Sequence, residues 1–375
     1  MASRFRRFAK KALIIANSII VIIFLLACLV PYLDPSKWWF ISLTGLIFPF
    51  LLVIVVLFFI FWILVDLKFV TISAIALLAG VKNVSLLFAL HTQPPFNYFK
   101  KKEALRIVTW NVARFIELKQ NNNKGSQTRL KMMELLRQQN ADVLCLQEFH
   151  SSINPEYYNN ISYISKELKY PYYYFTYELD SQDQYYSSIL FSRLPLLDTG
   201  RLYYPKPGIT EVLLHADLAL NGDTIRVYTT HLQSVLFNKT DYEKIEQIQH
   251  GEEGVIKNSR SIFSKLKLAA TIRSRQADAA KQELGHSPYP VLFTGDLNDV
   301  PTSYTYAAIR GNMRDAFLEK GLGIGRTFSA ISPTLRIDYV FADRRFSILQ
   351  VNKYVRELSD HYMMVVDVML HPGGK

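Results

Sequence analysis

The run from Trp38 to Val65 restricts this chain more than any other feature: 28 consecutive residues without a single charge. A bilayer core is crossed by roughly 18 to 20 apolar residues, so the run is long enough to span one. Ala12 to Val30, apolar apart from Asn17 and Ser18, reads as a preceding span. A signal peptide would explain the basic start of that first run, but no small-residue cleavage pattern follows it and a second apolar run comes at once. A third stretch, Phe69 to Leu90, is interrupted by Lys82 and Asn83 and reads either as a short third span or as an interfacial helix. The expected organisation is a transmembrane anchor of two to three helices over residues 1–91, a linker over 92–103 marked by Pro94-Pro95 and Lys100-Lys101-Lys102, and a catalytic domain over 104–375.

Charge follows the same division. The formal net charge is +11, but residues 1–91 hold eight Lys and Arg against Asp34 and Asp66. That leaves 35 basic and 30 acidic residues, a formal net of +5, for the remaining chain. The basic excess therefore sits at the membrane end and is weak support for a nucleic-acid footprint, which should lie on the catalytic domain. Arg4, Arg6, Arg7, Lys10 and Lys11 predict a cytoplasmic N-terminus. Three spans then put the catalytic domain outside the cytoplasm and two put it inside. The lysine cluster at 100–102 favours the inside and the length of the third stretch favours the outside, so the expectation is a multi-pass membrane protein with an extracytoplasmic catalytic domain. Cys28 and Cys145 both lie in apolar runs, which implies no disulfide framework.

Beyond the anchor, short β-rich runs alternate with helical ones. Strands are expected at Leu105–Thr109, Val143–Leu146, Tyr172–Tyr177, Ser188–Phe191, Val212–Leu218, Thr224–Tyr228, Val291–Phe293, Ile337–Phe341, Phe346–Val351 and Met363–Leu370. Helices are expected at Thr128–Gln139, Pro155–Leu168, Ser264–Glu283 and Tyr304–Arg310. Ten strands with interspersed helices and no repeat period fit an α/β fold of two packed sheets flanked by helices. Residues 234–262, polar and mixed in charge, read as a solvated insertion with a short helix around Tyr242–Gln249, or as a substrate-selecting loop.

Six short polar motifs end or open these runs: Trp110-Asn111, Gln147-Glu148, Thr230-His231-Leu232-Gln233, Gly295-Asp296-Leu297-Asn298-Asp299, Ile337-Asp338-Tyr339 and Ser359-Asp360-His361. One such motif is ordinarily a strand running into a turn. Six in this order supply carboxylates, amides and two imidazoles from strand ends, which suits a hard divalent cation and a phosphodiester. The series resembles the endonuclease/exonuclease/phosphatase superfamily, which includes deoxyribonuclease I, abasic-site endonucleases, neutral sphingomyelinases, inositol-polyphosphate 5-phosphatases and deadenylases. The resemblance covers about residues 104 to 372. It implies a four-layer α/β sandwich, two mixed sheets flanked by helices, that hydrolyses phosphoesters with Mg²⁺ or Mn²⁺ by in-line attack of water.

The resemblance also implies roles. Glu148 matches the principal metal ligand, with Asn111 beside it. Asp296 matches the residue that orients or deprotonates the attacking water, and Asn298 the one that holds a phosphate oxygen; alternate positions on an extended segment would face them the same way. Asp338 matches the carboxylate that bonds the far nitrogen of His361, fixing its tautomer and favouring its charge. Asp360, adjacent to His361, should diverge from it and be free to bind metal. His231 matches a candidate general acid or phosphate contact that abasic-site endonucleases generally lack. Asp299 reads as a turn former and Ser303 as the cap of the helix at Tyr304. Arg273 and Arg275 read as the solvated face of an amphipathic helix. Cys145 is too enclosed for a nucleophile, and no Gly-rich nucleotide loop or zinc-type spacing occurs.

The leading expectation is a membrane-embedded, metal-dependent phosphodiesterase with nucleic acid as its first substrate class. A phospholipid or sphingomyelin-type headgroup hydrolase or a phosphoinositide phosphatase is the alternative, and a non-catalytic membrane scaffold is disfavoured by the full set of polar residues. No protein partner is inferable.

Overall fold

A computed structural model describes residues 2–92, 94–120, 127–181, 183–205, 212–250 and 255–371. Its helices are α1 (Ala2–Leu29), α2 (Pro35–Ser42), α3 (Phe48–Val65), α4 (Val70–Ala79), α5 (Val81–Leu87), α6 (Thr128–Gln139), α7 (Asn160–Lys166), α8 (Lys239–His250), α9 (Val255–Gly285), α10 (Tyr304–Arg310) and α11 (Ala316–Lys320). Its strands are β1 (Ala89–Leu90), β2 (Leu105–Asn111), β3 (Val143–Ser152), β4 (Tyr172–Phe175), β5 (Leu179–Ser181), β6 (Gln184–Ser192), β7 (Leu196–Tyr203), β8 (Val212–Leu220), β9 (Asp223–His231), β10 (Val291–Asp296), β11 (Arg314–Asp315), β12 (Leu322–Gly323), β13 (Asp338–Ala342), β14 (Phe346–Tyr354) and β15 (Met363–Leu370). The chain divides into two compact units: residues 1–88 with 235–274 and 300–308, and residues 89–234 with 275–299 and 309–375.

The first unit is built on the apolar helices. Two are long and apolar enough to cross a membrane, Arg4–Tyr32 and Phe48–Val65, and Leu67–Ala79 with Val81–Leu87 forms a third only if the pair, bent by 61°, counts as one span. Two of the apolar runs are broken internally. Trp38–Val65 is not one helix: α2 ends at Ser42, a tight turn covers Leu43–Gly45, and α3 restarts at Phe48 with Pro49 in its first turn. Proline lacks the N–H that a continuing helix needs and its ring collides with the carbonyl one turn back. The third stretch breaks at Gly80, where a Cβ would fall 2.6 Å from the Phe24 ring. The close approach lets Phe24, Phe48, Leu51, Val55 and Ala76 pack into one core, with the Phe24 and Phe48 rings stacked at 5.1 Å. Polar side chains bond across the helices inside it: Ser73 donates to Asn17 Oδ1, and Asn83 Nδ2 donates to the Cys28 carbonyl, interhelical bonds of the kind apolar helices use.

The expected insertion at 234–262 holds its expected short helix, within α8, after an irregular stretch to Asn238, and continues into the start of α9; it clusters with the apolar helices instead of standing alone, and residues 251–254 lie outside the described residues. Arg273, expected on a solvated face, is buried, whereas Arg275 is exposed. Within the same unit Thr302 donates to the Gly45 carbonyl at 3.0 Å. Ser303 caps α10 as expected, accepting from Tyr306 N.

The second unit is an α/β fold of mixed sheets flanked by helices. One sheet has the order β11-β13-β10-β9-β8-β7, the other β14-β15-β2-β3-β6-β4 with β5 beside β6. Only β9/β10 and β2/β3 run parallel among these pairs. Alternation places Ile107, Val143, Cys145, Val227, Leu292, Val340 and Val366 between the sheets. The opposite parity of the second sheet, Val108, Trp110, Leu144, Leu146 and Phe191, meets Met132, Leu136 and Ile164 of α6 and α7. All ten expected strands are present. The unexpected ones, such as β7, lie at edges or are two or three residues long, and β7 buries none of its residues fully, so it has no alternation to read. Helix α7 begins at Asn160, later than expected, because Asn159 caps it by accepting from Ser162 N.

The expected linker at 92–103 is largely exposed in its described part, but its backbone is tied to this unit through Arg106. Arg106 is fully buried, bonds both oxygens of Asp367 at 2.7 and 2.9 Å, and donates to the carbonyls of Asn97 and Tyr98. Removing one partner of such a pair strands a charge in the interior. Asp367→Ala should therefore cost about 3 kcal/mol or more of stability, read as a lower urea midpoint.

Candidate active site

The register sets the first row of site residues. Asp296 ends β10, and its neighbours across the ladder are His231 on β9 and Asp338 on β13. Three functional side chains thus emerge side by side at one end of the first sheet. Gly295 permits it: its φ is +149°, and a Cβ there would lie 2.3 Å from the Thr230 carbonyl oxygen. Gly295→Ala should push β9 from β10 beside both Asp296 and His231, costing about 2 kcal/mol or more together with most of the turnover of the folded fraction; chemical denaturation and active-fraction kinetics read the two effects.

The second sheet contributes Asn111, at the end of β2, and Glu148. Glu148 does not end its strand as expected. β3 continues to Ser152, and Glu148 sits on a bulge between Leu146 and Phe149 with φ +50°. A bulge shifts the alternation by one residue and re-aims a side chain, a device common beside active sites. After Asn111 the chain makes a left-handed turn in which Ala113, Arg114, Phe115 and Ile116 have φ from +43° to +64°.

These elements converge. Asn111 Nδ2 lies 3.1 Å from both Glu148 Oε1 and Asp296 Oδ2. His231 Nε2 lies 3.7 Å from Glu148 Oε1 and 3.6 Å from Asp296 Oδ2. His361 Nε2 is 3.6 Å from the same Asp296 oxygen, and its Nδ1 is 2.9 Å from Asp338 Oδ2. Asp296 is completely buried between two imidazoles. Burial works against charge on His361, but the carboxylates of Asp338 and Asp296 outweigh it and hold the imidazole well above its ordinary range. Burial pushes Asp338 upward, and His361 opposes that push.

Besides Glu148, three of the eight candidates depart from expectation. Asn111 turns its carbonyl oxygen to Ala113 N at 3.1 Å, so the atom it offers the carboxylates is its NH₂ group, not a ligand oxygen. Asn298 is not on an extended segment: its φ is +51°, its N–H donates to Asp296 Oδ1, and its Nδ2 donates to the Leu232 carbonyl. Asp360 does diverge from His361, but it lies exposed at the rim, its backbone carbonyl accepting from Ser329 N, and is not among the converging carboxylates.

Sequence reasoning missed the supports. Gln147, buried between the sheets, donates to Thr109 Oγ1 and Thr229 Oγ1. Thr327 Oγ1 accepts from the backbone N–H groups of Ile337 and Asp338. Trp110 Nε1 donates to the His361 carbonyl, and Ser359 Oγ to that of Asn111. Gln147 and Trp110 stood inside motifs; Thr327 carried no signal, because its role depends on a loop returning from elsewhere.

A group of donors within 4.8 Å of one another, Asp296, Asp338 and His361, also invites a cation. Beside it lies a second pair of carboxylate oxygens, Glu148 Oε1 and Asp296 Oδ2, each 3.1 Å from the Asn111 amide nitrogen, and oxygen donors of this kind suit a hard ion. Comparison with known proteins agrees with this architecture. The family model described as Endonuclease/Exonuclease/phosphatase family matches residues 108–361. The chain belongs to this family. A second model, of a domain of unknown function, matches residues 10–87. No curated protein matches in sequence. Among solved structures, an endonuclease/exonuclease/phosphatase from Beutenbergia cavernae DSM 12333 is 18% identical, with 72% of each chain covered and a TM-score of 0.51. The human Nocturnin catalytic domain with bound sulfate is 14% identical over 74% of this chain and 99% of that one, TM-score 0.49. Humanized D. rerio TDP2 is 17% identical over 71% and 99%, TM-score 0.47. Family members are phosphoester hydrolases with a shared fold, and this chain carries that fold.

Proposed function

We propose that the chain is a divalent-cation-dependent phosphodiesterase held at a membrane by its N-terminal helices. The observation that carries the reading is Asp296, fully buried with one oxygen 3.6 Å from each of two histidines. A carboxylate so placed orients a water and takes its proton as the water attacks phosphorus. His361, kept protonated by Asp338, offers Nε2–H to charge growing on the phosphoryl oxygens. His231, on the other side of Asp296, is the candidate to protonate the leaving oxygen. Glu148, with Asp296 adjacent, would hold Mg²⁺ or Mn²⁺, which supplies Lewis-acid charge to the same oxygens. Asn111 keeps the two carboxylates together and Asn298 keeps the turn after Asp296 in place.

Nucleic acid is the first substrate class. Detergent-solubilised full-length chain with Mg²⁺ should nick plasmid DNA or cleave RNA, and EDTA should stop it. Activity on sphingomyelin or soluble phosphoinositides with none on either nucleic acid would replace that reading by a lipid headgroup hydrolase, which the apolar helices of the same chain favour. For topology, the bent α4–α5 pair counted as one span gives an odd number and an extracytoplasmic catalytic domain. A reporter active only outside the cytoplasm, fused after residue 375, should give signal; a working cytoplasmic reporter instead would reverse the assignment.

A further inference from the structure

The first unit contains a cavity of about 860 Å³ with no part in hydrolysis. Trp39, Phe40 and Ile47 line one side, from α2 and the turn after it; Arg260, Phe263 and Lys267 line the other, from the first half of α9. Phe40, Ile47 and Phe263 are each about half exposed, which is costly in water without a cover.

The charged residues that line this apolar surface, Arg260 and Lys267, are both basic. From Val255 to Ala277, α9 carries Lys257, Arg260, Lys265, Lys267, Arg273 and Arg275 and no acid, the first being Asp278. Asp241 of α8 takes Lys265. Arg260 and Lys267 are exposed, and among the described residues neither has a carboxylate partner. Lys267 Nζ stands 4.6 Å from the centre of the Trp39 ring, a cation at the mouth of an aromatic wall.

The position of the wall points to the occupant. α2 is the short segment between the two helices long enough to cross a membrane, and Trp38 and Trp39 are of the residue type enriched at headgroup depth. An apolar trough with a cationic rim at that depth matches a molecule with an acyl chain and a phosphate. A nucleic acid would use the cations and leave the apolar walls bare; a neutral lipid would use the walls and leave the cations without a counter-charge. We propose that the cavity binds one anionic phospholipid, its acyl chain against Trp39, Phe40 and Phe263 and its phosphate at Arg260 and Lys267.

The proposal concerns binding and stands whether or not the chain proves to be a phosphodiesterase, so the test is run in EDTA. Full-length protein in detergent is mixed with equal phosphatidylglycerol and phosphatidylcholine, and retained lipid is counted by native mass spectrometry. The wild type should retain phosphatidylglycerol over phosphatidylcholine by about tenfold, and Arg260→Glu/Lys267→Glu should retain both equally at an unchanged melting midpoint. Equal retention by the wild type, or an unchanged preference in the variant, overturns the site. Should the double variant fold poorly, fluorescence decides: phosphatidylglycerol brominated on its acyl chain should quench the wild type more than brominated phosphatidylcholine does, and Trp39→Phe should remove that difference. A difference that persists in Trp39→Phe refutes the assignment.

Discussion

Glu148→Ala is expected to lower turnover by about 10³-fold or more while leaving the fold intact. The side chain is part-exposed, and its contacts are to Asn111 and His231 of the site, not to a core cluster. The bulge that carries it is held by the flanking ladder between β3 and β6, and an alanine at φ +50° bears the same left-handed strain that the glutamate already bears. The loss should therefore appear in kcat at saturating Mg²⁺ with a nearly unchanged melting midpoint. Near-wild-type turnover would remove Glu148 from the cation site. Asp296→Asn is expected to be comparably severe, because an amide cannot accept a proton from water; a variant retaining a tenth of activity would leave Asp296 a positioning role alone.

His361 and Asp338 should fail together. His361→Ala is expected to cost about 10²- to 10⁴-fold in kcat, and the double variant with Asp338→Ala should be scarcely worse, since either loss disables one ion-paired unit. Fully additive losses would show two independent residues. The pair also sets a pH dependence. The folded His361 is raised above its unfolded value, so its contribution to stability is complete below the ordinary imidazole pKa of about 6.5 and is lost as pH rises through the raised folded value. Asp338→Asn removes the nearest carboxylate, so it should bring the alkaline limb of kcat to lower pH. A cation at Glu148 shifts both proteins in the same direction, and the comparison at equal Mg²⁺ keeps its sign. An alkaline limb that stays in place would disconnect His361 from the profile.

Much of the site was legible because its residues terminate strands. Asp296 and His231 each close an apolar run and Asp338 opens one, and strand ends are where a sheet exposes polar side chains without losing its core. What could not be read was conformation at the ends. Glu148 owes its direction to a bulge opposite β6, and Asn298 and the Ala113–Ile116 turn owe theirs to left-handed backbone in non-glycine residues. Such angles are disfavoured locally and persist only where surrounding contacts over-determine them. Asn111 shows the same limit, since its amide faces the carboxylates only because Ala113 N claims its carbonyl oxygen.

Apolar periodicity was sufficient for the α/β class, the ten main strands and the apolar helices, and the order of the motifs carried the resemblance to the family. These depend on side-chain patterns repeated along the chain, and short-range physics reads them directly. The pairing that sets His231, Asp296 and Asp338 in one row, the burial of Arg106 on Asp367, and the clustering of residues 235–274 and 300–308 with the first 88 depend on contacts between segments far apart in sequence. Segments that meet only after folding leave no local pattern, so a polar stretch such as the one after Gln233 looks the same whether it faces water or packs beside an apolar helix.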